Sequence, residues 1–218
     1  MDELLTKKTH TVVYVMQIPP QNDVMPLFPD ERQKQIANVS NADVKAQKYH
    51  VWRLLCYALQ KYTNLPVEQI SFRLTGQKWT CNACEFSLSH TNGYVAVALS
   101  ALPVGVDVEC VSPRFTPKLL ERIACPSERD VFPSEDNIAA LWTAKEAAFK
   151  QISDGTGAFI PSKLPVNGAG VGVYKIDNIV VAVATSNPVD LFFVHVDAGG
   201  NYSERSVSAT TADVFKQW

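Results

Sequence analysis

The sequence predicts an α/β (α+β) protein of two similar halves, each a small, mainly antiparallel sheet packed on a long helix, with a cleft between them. Three observations carry this. Two long segments, from about Ala42 to Tyr62 and from Ile138 to Ile152, show the i, i+3, i+4 recurrence of apolar residues that buries one helical face. Valine-rich strand patterns surround each of them. Finally, "VAVALS" at 95–100 is echoed by "VAVATS" at 181–186, and each copy is followed by a proline-containing turn and another valine-rich strand. Read as a pseudo-twofold tandem duplication, the chain divides into an N-terminal half, 1–102, and a C-terminal half, 103–218, whose final strand can return to the first half.

The elements follow in order. "THTVVYVMQI" is an opening strand that ends at Pro19 and Pro20, and a polar stretch carrying Arg32 and Lys34 runs to about Asn41. The first long helix has the stripe Val51, Leu54, Leu55, Ala58, Leu59 and Tyr62, with Pro66 soon after its end. Lys45 and Lys48 flank that stripe and read as part of a solvated face. "EQISFRLTGQKW" is a strand and turn at Gly76. "NGYVAVALS" is a strand opened by an Asn-Gly turn, and the loop at Ser100–Pro103 lets "VGVDVE" fold back beside it. In that strand Val104, Val106 and Val108 face one side, so Gly105, Asp107 and Glu109 face the other. Two carboxylates at this spacing stand ~7 Å apart, within reach of one hard cation, and the glycine leaves room for something bulky.

In the second long helix the stripe is Ile138, Leu141, Trp142, Ala148, Phe149 and Ile152, and Lys145 lands near its middle. A buried ammonium needs an anion or a route to water. Glu146 and Lys150 share the adjoining flank. Lys145 snorkelling to solvent, and an ordinary Glu146–Lys150 helix pair, are the plain readings of the same residues.

Composition narrows the function classes. With 218 residues, 46% hydrophobic and 19% charged, the chain is ordinary globular material with a formal net charge of −2, which excludes a strongly basic nucleic-acid binder. No apolar run has the length of a signal core or a membrane span, so the reading is cytoplasmic, with neither membrane nor nucleic acid as partner. Five cysteines, an odd number, suit reduced thiols. Cys81 and Cys84 form a CxxC; without a second CxxC or an HxxxH pair it reads as loop packing rather than half a zinc site or a redox pair.

"FSLSHT" at 86–91, "GVDVE" at 105–109 and "WTAKEAAFK" at 142–150 occur in that order. Together they resemble the signature of 4'-phosphopantetheinyl transferases of the surfactin-synthetase-activating type: a phenylalanine followed closely by SHS or SHT, then GxDxE, then WxxKEAxxK. "TGQKW" resembles that family's Gly-Lys-Pro turn, with the lysine displaced. The resemblance implies a monomeric, magnesium-dependent enzyme that transfers phosphopantetheine from coenzyme A, bound in the cleft, to a serine of an apo acyl or peptidyl carrier protein. The second product is 3',5'-adenosine bisphosphate. Such a holo-carrier synthase serves fatty-acid, polyketide or nonribosomal-peptide biosynthesis. By the same resemblance Asp107, Glu109 and Glu146 would hold Mg²⁺, Glu146 would act as general base, and Asp107, Glu146 and Lys150 would be catalytic. Lys145 and Lys150 would meet the pyrophosphate, and Ser89, His90, Lys78 and Lys34, with Arg32, would contact coenzyme A. On this reading the counter-anion of Lys145 is the cofactor, and Glu128 of "ACPSERDVF" is a helix N-terminal acid. The same groups could instead position water in a metal-dependent nucleotide phosphohydrolase, or bind coenzyme A or a carrier without turnover.

Overall fold

The computed structural model describes residues 9–20, 29–129, 134–166, 170–197, 199–207 and 210–211. Parts of the N-terminal stretch, of the polar stretch before Asn41 and of the C-terminal end of the second predicted half lie outside them. Strand β1 is Thr11–Gln17, followed by helices α1 (Asp30–Ala37) and α2 (Ala42–Thr63). Four strands come next, β2 (Phe72–Thr75), β3 (Lys78–Cys81), β4 (Glu85–Thr91) and β5 (Tyr94–Ser100), and then β6 (Gly105–Cys110). Helices α3 (Pro117–Ile123) and α4 (Glu135–Ile152) precede β7 (Val171–Ile176), β8 (Ile179–Ala184), β9 (Val189–Val196), β10 (Tyr202–Ser206) and β11 (Thr210–Thr211).

The long helices begin where capping dictates. Asn41 accepts from the Val44 N–H through its side chain, and Ser134 does the same for Asn137. Helix α2 ends on Asn64 in the left-handed conformation, φ 58°, one of the few residue types that adopts it cheaply.

One five-stranded sheet has the order β10-β9-β1-β5-β4, a four-stranded sheet has the order β11-β7-β8-β6, and β2 with β3 makes a separate hairpin. All pairings are antiparallel except β1 with β9. The pleat sorts the side chains into three cores. Val12, Tyr14 and Met16 of β1 and Val95, Val97 and Leu99 of β5 pack with the apolar stripe of α2. On the opposite face Val13, Val15, Ala96 and Ala98 meet Val106, Val108, Val181 and Val183 from the second sheet. Val180, Ala182 and Ala184 of β8 lie against Ala144, Ala147 and Ala148 of α4. The order is therefore helix, sheet, sheet, helix. The central strands read as continuous valine and alanine runs because both of their faces are buried.

Two sequence expectations are corrected. Strand β6 does not fold back beside β5; it hydrogen-bonds to β8 in the other sheet, while β9 crosses to pair with β1. Gly105, at the start of β6, leaves no room for anything bulky. A Cβ there would sit 1.9 Å from the Ala147 carbonyl oxygen, so the missing side chain is what lets α4 lie on β6. Second, Ile152, placed on the buried stripe by its spacing, is 69% exposed at the last residue of α4.

Candidate active site

Strand β6 is the floor of the site. One edge pairs with β8; on the other the N–H groups of Val106 and Val108 donate to the hydroxyls of Ser87 and Ser89 on β4, at 3.0 and 3.2 Å. Alternate serines in "FSLSHT" thus stitch β4 to β6 by side chain where no backbone ladder forms. Ser89 also donates to Asp107 Oδ1 at 2.7 Å. Its hydroxyl is buried and holds Asp107 in place, and the residue also lines the cleft.

Asp107 is almost wholly buried. Lys150 on α4 donates to its Oδ1 at 2.7 Å and to the Val106 carbonyl at 3.2 Å, whereas Oδ2 is buried with no partner. Glu109 Oε1 accepts from the Trp142 indole N–H at 3.1 Å; its Oε2 accepts from Thr91 at 2.9 Å and pairs with Arg114. Glu146 lines the same cleft. Burial first, and then repulsion from Asp107, raise its carboxyl to about 7 despite the nearby Lys150 ammonium. Burial and Asp107 likewise raise Glu109.

Among the described residues no group of three or more His, Cys, Asp or Glu side chains is assembled into a closed metal cage. Lys150 and Arg114 engage the strand carboxylates instead. The chemistry of the donors nonetheless fits a hard divalent cation: all are oxygens, one buried carboxylate oxygen is orphaned, and Glu146, raised by burial and then by Asp107, carries a charge that a cation would favour.

The cleft measures about 700 Å³, and its opposite wall carries Arg32, Lys48, Gln77, Trp79 and His90. An adjoining hollow of about 450 Å³ is lined by Lys78, Phe149, Ser153 and Gly155, among others. His90 is driven toward its neutral form by burial and then by Lys150, Lys48 and Arg32. Arg32 stacks over the Trp52 ring at 4.9 Å, with its buried Nε unpartnered and its basicity lowered by burial. Lys78 donates to the Ser153 carbonyl at 2.8 Å, beyond the end of α4, so in this arrangement it ties the β2–β3 turn to the loop that follows the helix.

Three assignments change in the folded chain. Lys34 is exposed and lines neither hollow; Arg32, two residues earlier, is the α1 cation that reaches the cleft. Lys48, taken for a solvated charge, stands on the cleft wall. The signal was present: Lys48 lies one turn before Trp52 and two before Leu55, on the buried face of α2.

The third correction concerns Lys145. Neither its side chain nor that of Glu128 has any solvent exposure, and they pair at 2.8 Å. Lys145 also donates to the carbonyls of Leu164 and Pro161 at 2.6 and 3.0 Å. Glu128 accepts from the N–H groups of Cys125 and Val166 at 2.7 and 3.2 Å. The lysine's anion is thus internal: it neither snorkels nor meets a cofactor, and Glu128 is a core group tying the loops at 125–128 and 161–166 to α4. No local pattern announces a pair separated by seventeen positions across a loop.

Residues 103–177 match the model of the 4'-phosphopantetheinyl transferase superfamily. Over 174 residues the chain is 28% identical to a 4'-phosphopantetheinyl transferase, gsp, of Aneurinibacillus migulanus, an alignment covering 74% of this chain and 69% of that protein. No helix among the described residues is long and apolar enough to cross a membrane. The segment that carries the acidic strand β6 and the lysine-bearing helix α4 is thus the part of the chain that is similar to the 4'-phosphopantetheinyl transferase superfamily.

Proposed function

We propose that the protein transfers 4'-phosphopantetheine from coenzyme A to a serine hydroxyl of an apo carrier protein, with Mg²⁺, and releases 3',5'-adenosine bisphosphate. One observation carries the reading: Asp107, Glu109, Glu146 and Lys150 face a single cleft whose other wall presents Arg32, Lys48 and His90. Carboxylates suited to a hard cation and the Arg32 and Lys48 cations, with His90 beside them, support a ligand that is a diphosphate ester with a third, separate phosphate.

Asp107, through its free Oδ2, with Glu109 and Glu146 would hold the ion. When bound, it would offset negative charge on the diphosphate. Arg32, Lys48 and His90 would take the 3'-phosphate. The carrier serine oxygen attacks the phosphorus that bears pantetheine, the bond from that phosphorus to the bridging oxygen breaks, and adenosine bisphosphate leaves. Glu146 accepts the serine proton, directly or through a water. Lys150 neutralises charge that accumulates on the bridging oxygen. The echo of "VAVALS" in "VAVATS", and a long helix packed on a sheet in each half, support reading 1–102 and 103–218 as two copies of one unit, with β9 of the second returning to pair with β1 of the first.

Intact-mass spectrometry of apo acyl and peptidyl carrier proteins incubated with this protein, Mg²⁺ and coenzyme A tests the proposal. The acceptor gains one phosphopantetheine, and Glu146→Gln slows the gain at least ~100-fold. Coenzyme A hydrolysed without any acceptor, or an acceptor mass unchanged across the panel, would refute it.

A further inference from the structure

The cleft chemistry makes no use of Cys81 and Cys84. Cys81 closes β3 and Cys84 stands just before β4, with only the exposed Asn82 and Ala83 between them. The turn is held by reciprocal bonds: the Asn82 N–H donates to the Ser71 carbonyl at 3.2 Å, and the Ser71 N–H donates to Asn82 Oδ1 at 3.0 Å. Inside this fixed turn the protonated Cys81 thiol donates to the Cys84 carbonyl at 3.3 Å. The Cys84 thiol and the peptide groups of Ala83 and Cys84 stand close enough to the Cys81 sulfur to act on its charge. Both thiols are free and half-buried, packed at the edge of the aromatic core beneath β2 and β3.

We propose that Cys81 and Cys84 form a thiol–disulfide exchange site for low-molecular-weight disulfides, with Cys81 as the attacking and Cys84 as the resolving sulfur. The division of labour follows from the environments. The Cys84 thiol first, and then the turn's peptide groups, stabilise negative charge on Cys81 and bring its thiol down to about 6. Cys84 moves far the other way because it serves as that donor and because burial penalises its charge. In the exchange, the Cys81 thiolate attacks one sulfur of R–S–S–R. That S–S bond breaks, one thiolate leaves and takes up a proton, and Cys81 carries a mixed disulfide. Cys84, surrendering its proton to solvent, attacks the Cys81 sulfur and expels the second thiolate. Two protein thiols have lost two electrons, and the small disulfide has become two thiols. The site sits at the root of the β2–β3 hairpin, whose Gln77, Lys78 and Trp79 line the cleft hollows, but the exchange needs no coenzyme A or carrier. It goes beyond the transferase reading and stands or falls separately from it.

The test equilibrates the full chain at pH 7 in glutathione buffers of stepped redox ratio containing a metal chelator, followed by acid quench, denaturation, alkylation and peptide mass mapping. Expected is a species in which Cys81 and Cys84 are both protected by a mutual disulfide while Cys56, Cys110 and Cys125 still alkylate. Cys84→Ser should stop at a glutathione mixed disulfide on Cys81, and Cys81→Ser should suppress exchange. Native alkylation of Cys81 should accelerate as pH rises through about 6. Oxidation of another cysteine before this pair overturns the proposal. So does a reduced pair at every ratio, or protection seen only when the chelator is left out, which would make the pair a metal ligand.

Discussion

Replacing Lys145 with methionine tests the central correction. Methionine keeps much of the aliphatic stem and removes the ammonium, leaving the Glu128 carboxylate without its cation at a site with no solvent exposure. Its remaining donors are two peptide N–H groups, and the carbonyls of Pro161 and Leu164 lose theirs. Breaking one side of a fully buried ion pair costs on the order of 3–5 kcal/mol, chiefly because the surviving charge stays desolvated. For a chain of 218 residues a loss of that size lowers the melting temperature by about 6–20 °C. Thermal unfolding followed by circular dichroism, without coenzyme A, reads it directly. Adding Glu128→Gln should recover part of the loss, because the orphaned charge is then gone, and the double-mutant cycle should report coupling of ~2 kcal/mol or more. A variant that melts within about 2 °C of the parent would refute this argument, because a buried ammonium whose anion is internal cannot be removed so cheaply. If that variant had also lost affinity for coenzyme A, the cofactor would be restored as the lysine's counter-ion.

Gly105→Ala drives a methyl group into the Ala147 carbonyl and should cost at least ~3 kcal/mol in urea unfolding, or prevent soluble expression; a near-neutral result would mean α4 does not lie on β6 as described. Lys48→Ala should raise KM for coenzyme A by roughly 10- to 100-fold, the loss of one charge-assisted contact, while Lys34→Ala stays within about twofold; the reverse ranking would reinstate Lys34. His50 is buried and held neutral, its imidazole pushed down to about 4 by burial and by the Arg53 charge. Because the unfolded chain protonates this group near 6.5 and the folded chain near 4, the unfolded state binds more protons between those values. Stability should therefore fall as pH drops from 6.5 to 4, by about 3 kcal/mol from this residue, and then level off. Urea titrations of His50→Gln should show a shallower slope over that window, and an identical slope would remove the assignment.

The sequence by itself determined what is periodic or contiguous. Strand alternation put Asp107 and Glu109 on the face opposite Val106 and Val108, and helical spacing put Glu146 and Lys150 together on one flank of α4. Their order along the chain pointed to the superfamily. Only the tertiary structure decided which charge meets which. Lys145 finds Glu128 through loops that carry no period, Ser89 spends its hydroxyl on β6, β6 joins β8 while β9 returns to β1, and Gly105 lets α4 close on β6. Pattern records the face on which a side chain lies. Its partner depends on loop closure and on the exclusion of water from a packed interior, and neither leaves a local trace in the chain.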